Sequence, residues 1–419
     1  MIDRGLAEAV FADAVRACDP TARVAAALVE PDISGRLAGR KRFGIAMGKA
    51  ALAMARGAGP VEQGVAIAPV DDGAPLPAGW RCILSAHPLP DERSLAAAAA
   101  AHALAALAAP RDALLALISG GASALVEAPR STLSLAELRT VARAVMAAGA
   151  PIAELNAVRT ALSQIKGGGL ALECRAPVTT LAISDVPSDD LAIIGSGPTI
   201  GPWLGAPDGA DVGAADLALR TRARELLAGY QIAVSPLIAE VLAAPARSLS
   251  VRRDDHARVI APMAAFAGAA HDALAARGLH GMFAAVPVTS TVEATARELA
   301  ASLGLIVAWG EPTVPLPPVH GEGGRAQQLA LALAQHLRGT RRSALVIGSD
   351  GADGPTPRAR PTPAGAYVDG NTWDAIKRAG HDPGAALARC DAGTVLSAIG
   401  ALVVTGPTGV NHADLILVG

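Results

Sequence analysis

Ala113-Leu114-Leu115-Ala116-Leu117-Ile118-Ser119-Gly120-Gly121-Ala122-Ser123-Ala124-Leu125 is an apolar run that stops at a hydroxyl and two glycines. Ala113 to Ile118 suits a strand buried on both faces, as in a parallel sheet. Ser119, Gly120 and Gly121 break the run. Ser123 is placed to cap a following helix or to sit in its first turn. A tight strand-to-helix turn aims backbone N–H groups and the positive helix end at whatever lies there, which makes it a candidate anion site. An ordinary βα turn has the same local pattern, so the other glycine turns have to be weighed with it.

Upstream, residues 4–29 read as two helical stretches split at Asp19-Pro20. Arg42 to Met47 reads as a strand, followed by Gly48-Lys49 and a helix from Ala50. This is not a P-loop, because Gly44 to Lys49 is one residue short and Ala50 has no hydroxyl. Short strands are expected at 64–70 and 82–85, then the loop from His87-Pro88 and a helix over 95–107. Downstream, helices are expected at 134–146 and 152–165, the latter ending at Lys166 and three glycines. A strand at 177–184 runs into Asp185, then Asp189-Asp190 and Gly195-Ser196-Gly197-Pro198-Thr199. Residues 201–215 read as a surface excursion.

A second βα series is expected from about Ala257. Its marks are strands at 259–261, 282–286, 305–309, 343–348, 402–404 and 415–417, and helices to 276 and over 292–303 and 326–337. Strands alternating with helices in two blocks give an α/β fold of two lobes. The expected division is 1–240 and 241–419, with the boundary in 235–256.

Composition narrows the function. The chain has 419 residues, a net charge of −2 and 2% aromatics, which gives nucleic acid neither a basic face nor a stacking platform. No apolar run is long enough to cross a bilayer free of charge, Pro or Gly, and Met1-Ile2-Asp3-Arg4 does not open a signal peptide. Cys18, Cys82, Cys174 and Cys390 form no CxxC pair. Buried thiols in a cytoplasmic protein are the expectation. Lysine stands only at Lys41, Lys49, Lys166 and Lys377. Lys49 and Lys166 adjoin glycines, where a compact point charge suits phosphate.

Asp185, Asp189, Asp350 and Asp353 follow predicted strands, where ligands collect in open α/β sheets. Carboxylates there suit Mg²⁺ shared with substrate phosphates, or accept a proton from an attacking hydroxyl. A turn or helix cap is the plain reading of each, above all for Asp189 and Asp190. Arg325, after Gly323 and Gly324, carries a planar fork for a carboxylate or phosphate; a surface salt bridge is the plain alternative. Together these features describe phosphoryl transfer to a small anionic acceptor.

The motifs, taken in order, resemble the type 2 glycerate kinases with a C-terminal MOFRL domain, over nearly the whole chain. They are Met47-Gly48-Lys49-Ala50, His87-Pro88-Leu89-Pro90-Asp91, Ile118-Ser119-Gly120-Gly121-Ala122-Ser123-Ala124-Leu125, Asn156-Ala157-Val158-Arg159 leading to Ser163-Gln164-Ile165-Lys166-Gly167-Gly168, Ser184-Asp185-Val186, Asp189-Asp190, and Ser196-Gly197-Pro198-Thr199. In the second half they are Gly310-Glu311-Pro312-Thr313-Val314, Gly323-Gly324-Arg325, Asp350-Gly351-Ala352-Asp353-Gly354-Pro355-Thr356 and Thr405-Gly406-Pro407-Thr408-Gly409-Val410-Asn411. The resemblance implies two Rossmann-like lobes with the active site in the cleft between them. It implies phosphorylation of D-glycerate by ATP and Mg²⁺, giving 2-phosphoglycerate, and a homodimer is compatible with it.

By resemblance Lys49 and Arg325 are the main charged catalytic residues, with Asp185 beside them. Ser119, Gly120, Gly121, Ser123, Lys166, Gly167, His87, Ser196, Gly197, Thr199, Glu311, Thr313, Gly323, Gly324 and Asn411 line substrate and phosphate. Asp350, Asp353 and Asp189 are the metal candidates. The chain departs from the family pattern at Ala122 and Ser188, where glycine is usual, and at Ala326 and Gln328, where Asn and Glu are usual. Two other readings stand beside the kinase. A nicotinamide-dependent hydroxypyruvate reductase would want Gly-x-Gly-x-x-Gly after a strand, and none is present. A silent binder would hold nucleotide or glycerate without turnover.

Overall fold

Six strands form the first sheet: β1 (Arg42–Met47), β2 (Gln63–Ala68), β3 (Trp80–Leu84), β4 (Ala113–Ile118), β5 (Val178–Ile183) and β6 (His256–Ala261). The computed structural model describes residues 2–131, 133–202, 204, 212–245, 254–355 and 362–419. Most of the expected excursion at 201–215, residues 246–253 of the expected boundary region 235–256, and Thr356 lie outside the described residues.

The strand order is β3-β2-β1-β4-β5-β6, and the pairs from β3 to β5 are parallel. This is the order of a doubly wound dinucleotide-binding sheet, whose direction of winding reverses between β1 and β4. All six residues of β4 are buried, as its unbroken apolar run requires. The helix Glu92–Leu107 starts at a capping box of Asp91 and Ser94, and the helix Leu135–Ala147 at one of Ser134 and Glu137. One strand moves from its expected place. β6, read as the start of the second βα series, is the edge strand beside β5. A short apolar run names its strand but not its partner.

The second sheet holds β7 (Met282–Phe283), β8 (Ile306–Gly310), β9 (Ser343–Ile347), β10 (Gly365–Asp369), β11 (Leu402–Val403) and β12 (Asp414–Val418), in the order β11-β10-β9-β12-β8-β7. The chain is α/β in both parts, but Rossmann-like describes the first sheet. In the second only β7 and β8 run parallel; the pairs from β8 through β12, β9 and β10 to β11 are antiparallel.

Side chains of the second sheet alternate between two cores. Ile306, Ala308, Ala344, Val346, Ile416 and Val418 pack with the helices Val292–Ala301 and Arg325–Leu337. Val307, Trp309, Leu345, Ile347, Leu415 and Leu417 pack with the helices Arg4–Ala17 and Ala265–Ala275. Such a sheet is buried on both faces by the period of two. The helix Arg4–Ala17 therefore belongs with the second sheet. The chain divides into a unit of Pro20–Ile260 and a unit of Met1–Asp19 with Ala261–Gly419. This differs from a single cut between 240 and 241, because β6 stays with the first unit and the first helix with the second. No helix among the described residues is long and apolar enough to cross a membrane.

Candidate active site

At the reversal point of the first sheet, two turns are tied backbone to backbone. Ser119 N–H donates to Met47 O (3.0 Å), and Lys49 N–H to Gly120 O (2.8 Å). The buried Ser119 hydroxyl accepts from Ala50 N–H (3.1 Å). Gly48 has φ +126°, and a Cβ there would stand 2.1 Å from Ser119 Oγ. Only glycine fits that approach. The helix after Gly121 is four residues, Ala122–Leu125, with Ser123 in its first turn. It is too short to give the full helix field that the turn pattern suggests.

Lys49 leaves this junction exposed, while Gly48 and Ala50 on either side are buried. A Cβ on Gly121 would touch the His87 imidazole at 3.1 Å and Lys49 Cγ at 3.4 Å, so both side chains lie over that glycine. Burial and the Lys49 charge push the His87 pKa down, which keeps the ring neutral. Burial pushes the Asp185 carboxyl up, against the pull of its own backbone N–H and of Lys49. A cation, a neutral imidazole and a carboxylate of raised basicity thus share the carboxyl ends of the strands. Such a group neutralises an incoming anion and accepts a proton.

The neighbouring glycine turns are built into the fold. Gly167 N–H donates to Ser196 O (3.0 Å) and Gly168 N–H to Gly197 O (2.7 Å). Gly195 lies against Ala122 and Ile118. The Thr199 hydroxyl is buried on that of Thr180 (2.8 Å). Lys166, expected on phosphate, is buried, its ammonium on the Glu127 carboxylate. Ser163 Oγ donates to the other Glu127 oxygen (2.7 Å) and accepts from the Ile165 amide (3.2 Å). Burial drives the Lys166 pKa down, Glu127 pulls it up, and Arg159 opposes the charge. Its ammonium is spent on Glu127 and does not face solvent.

In the second unit Arg325 opens its helix. Its Nε donates to Asp414 Oδ2 (2.7 Å) and Nη2 to Asp414 Oδ1 (3.2 Å), while Nη1 donates to Glu311 Oε2 (3.2 Å). Burial works against the Arg325 charge, but Asp414 and then Glu311 outweigh it and raise the pKa. Glu311 and Thr313 are held by Val288 and Ser290 through backbone bonds of 2.9 Å each. Asn411 is buried, in the loop whose Thr408 hydroxyl donates to Ser349 O (2.5 Å).

Two of the metal candidates, Asp353 and Asp350, accept backbone amides. Asp353 Oδ1 accepts the Ala326 amide (3.0 Å) and Oδ2 the Gln327 amide (2.8 Å), so this carboxylate caps the helix Arg325–Leu337. Burial, and then Asp414, push its pKa up to about 6 against those amides. Gly324 has no room for a Cβ because Asp353 Oδ1 would lie 2.2 Å away. Asp350 accepts from Ala352 N–H (3.0 Å), and Asp189, at φ +51°, belongs to the first unit. No group of three or more His, Cys, Asp or Glu among the described residues is placed to hold a metal ion.

Sequence reading missed Asp414 and Glu127, and took Ser163 only as part of the motif before Lys166. Asp414 carried one signal: it is the carboxylate that opens the last apolar strand. The departure at 328 is turned away from Arg325, since Gln328 Nε2 donates to Leu387 O (2.9 Å). A carboxylate at 328 could not make that bond.

The chain matches two family models, a domain of unknown function (DUF4147) over residues 6–212 and the MOFRL family over 304–414. A glycerate 2-kinase of Pyrococcus horikoshii is 29% identical over 97% of this chain and 94% of that one. A putative hydroxypyruvate reductase of Agrobacterium vitis is 35% identical over 90% and 98%. The crystal structure of a glycerate kinase from Thermotoga maritima superposes with a TM-score of 0.83 at 27% identity, covering 99% of each chain.

Proposed function

The chain belongs to the glycerate kinase family with DUF4147 and MOFRL domains, and from that premise we propose that it phosphorylates the 2-hydroxyl of D-glycerate with ATP, giving 2-phosphoglycerate. The observation that carries the reading is the exposed Lys49 at the β1–β4 reversal point, with His87 against the same glycine and Asp185 within its field. Phosphoryl transfer asks the protein for positioning and for positive charge near the transferring oxygens. Lys49 supplies that charge. Asp185, raised in basicity by burial, takes the proton of the attacking hydroxyl. The neutral His87 ring orients an oxygen without adding charge. In the other unit Arg325 is the second charged group of catalysis. Mg²⁺ accompanies the donor on its own phosphates, as it commonly does in phosphoryl transfer. The enzyme acts without nucleic acid or membrane, in the cytoplasm, and a homodimer is compatible with this chemistry.

The test is ATP consumption with D-glycerate and Mg²⁺, product being read by enolase with no mutase present. Enolase turnover is the expected result. ADP without an enolase signal overturns the 2-position. Lys49→Ala should cut kcat by at least about 100-fold. The reductase name of some relatives gives a second reading, but β1 and β4 are followed by Gly48-Lys49 and Ser119-Gly120-Gly121 rather than a dinucleotide fingerprint. NADH or NADPH oxidation by hydroxypyruvate, without ADP formation from glycerate, would establish it.

A further inference from the structure

Arg325 is the first residue of the helix Arg325–Leu337, whose body is buried. A long side chain at the mouth of a helix sweeps a wide arc unless something holds it. Asp414 sits where it can. It opens β12, and the period of two puts it on the same face as Ile416 and Val418, which pack with that helix. Opposite it in register is Gly310, which brings no side chain between the two. Asp414 is 6% exposed and takes Nε and Nη2 of the guanidinium together. A planar fork gripped on that edge cannot rotate about its stem. Glu311, on the outer edge, is about half exposed.

We propose that Asp414 is the positioning residue for Arg325, holding the guanidinium by its inner edge so that its outer edge, now covered by Glu311, meets the substrate's anionic group. The proposal rests on the kinase reading of Arg325. Asp414→Asn keeps the shape and gives up the charge and one acceptor. Its kcat with D-glycerate should fall about 10- to 100-fold while KM for glycerate and ATP stays within about threefold. On an Arg325→Ala background the same change should move kcat by less than about threefold, because the residue it positions is gone. Equal losses on both backgrounds, a loss confined to KM, or an unchanged kcat each overturn the proposal.

A second measurement needs neither activity nor an Asp414 variant. In ¹⁵N-arginine-labelled wild-type protein the Arg325 Nε–H signal, assigned by its loss in Arg325→Lys, should exchange slowly with solvent. Fast exchange overturns the proposal. Should the wild type fail to phosphorylate glycerate, the kinase reading falls, while slow exchange still upholds Asp414 as the group that holds Arg325.

Discussion

Lys49 and Lys166 both stand beside glycines, yet one is exposed and the other is buried on Glu127. Local sequence gives both the same reading, because the partner that distinguishes them lies 39 residues from Lys166. Removing one member of a buried pair strands the other charge, so Lys166→Met should cost about 3–5 kcal/mol in urea unfolding. Adding Glu127→Leu should restore much of it. A stable Lys166→Met protein with a raised KM for ATP would instead return Lys166 to the phosphate. Asp185 makes a prediction about pH. A base must be ionised to act, so kcat/KM falls as pH drops through its pKa. Burial raises that pKa, and the acid limb should lie above the ordinary 3.8. A limb at or below 3.8 would free Asp185 of the role.

At the scale of elements, what could be read was what repeats locally. β1 and β4 fall on the residues expected from their apolar runs, and the helix expected at 134–146 is found at Leu135–Ala147. β10 and the helices Thr372–Arg378, Pro383–Ala388 and Ala392–Ala398 went unread, since five to seven residues hold too little periodicity. Strand direction in the second sheet was equally out of reach. Alternating strands and helices read as parallel, and nothing local says that β12 inserts antiparallel between β8 and β9. Asp353 shows the same limit in the site. Its motif reads as a metal site, but the helix 27 residues upstream in sequence takes its oxygens. Asp353→Ala leaves two helix amides without acceptors and should cost about 2 kcal/mol by denaturant titration. EDTA should leave the wild type's stability unchanged; an EDTA effect as large as that of the variant would make Asp353 a metal ligand after all.

For the whole molecule, the order of the chain and the order of assembly differ. The helix Arg4–Ala17 comes first in sequence, yet Val10, Phe11 and Ala14 pack with Phe266, Leu345 and Leu417. The sequence reads as a helical stretch there, and a helical period does not say which core it joins. Burying Val10 and Phe11 is worth about 1.5–3 kcal/mol each, a large share of what a unit of this size has in hand. A fragment of residues 261–419 should therefore expose an apolar sheet face and aggregate. The same fragment with residues 1–19 added as a separate peptide should bind that peptide and gain helical circular dichroism. Residues 20–260 should give a more cooperative thermal transition than 1–240, which keeps the first helix without its partners and drops β6. A cooperative fold for 261–419 alone, indifferent to the peptide, would mean that the first helix is an accessory to the second core rather than part of it.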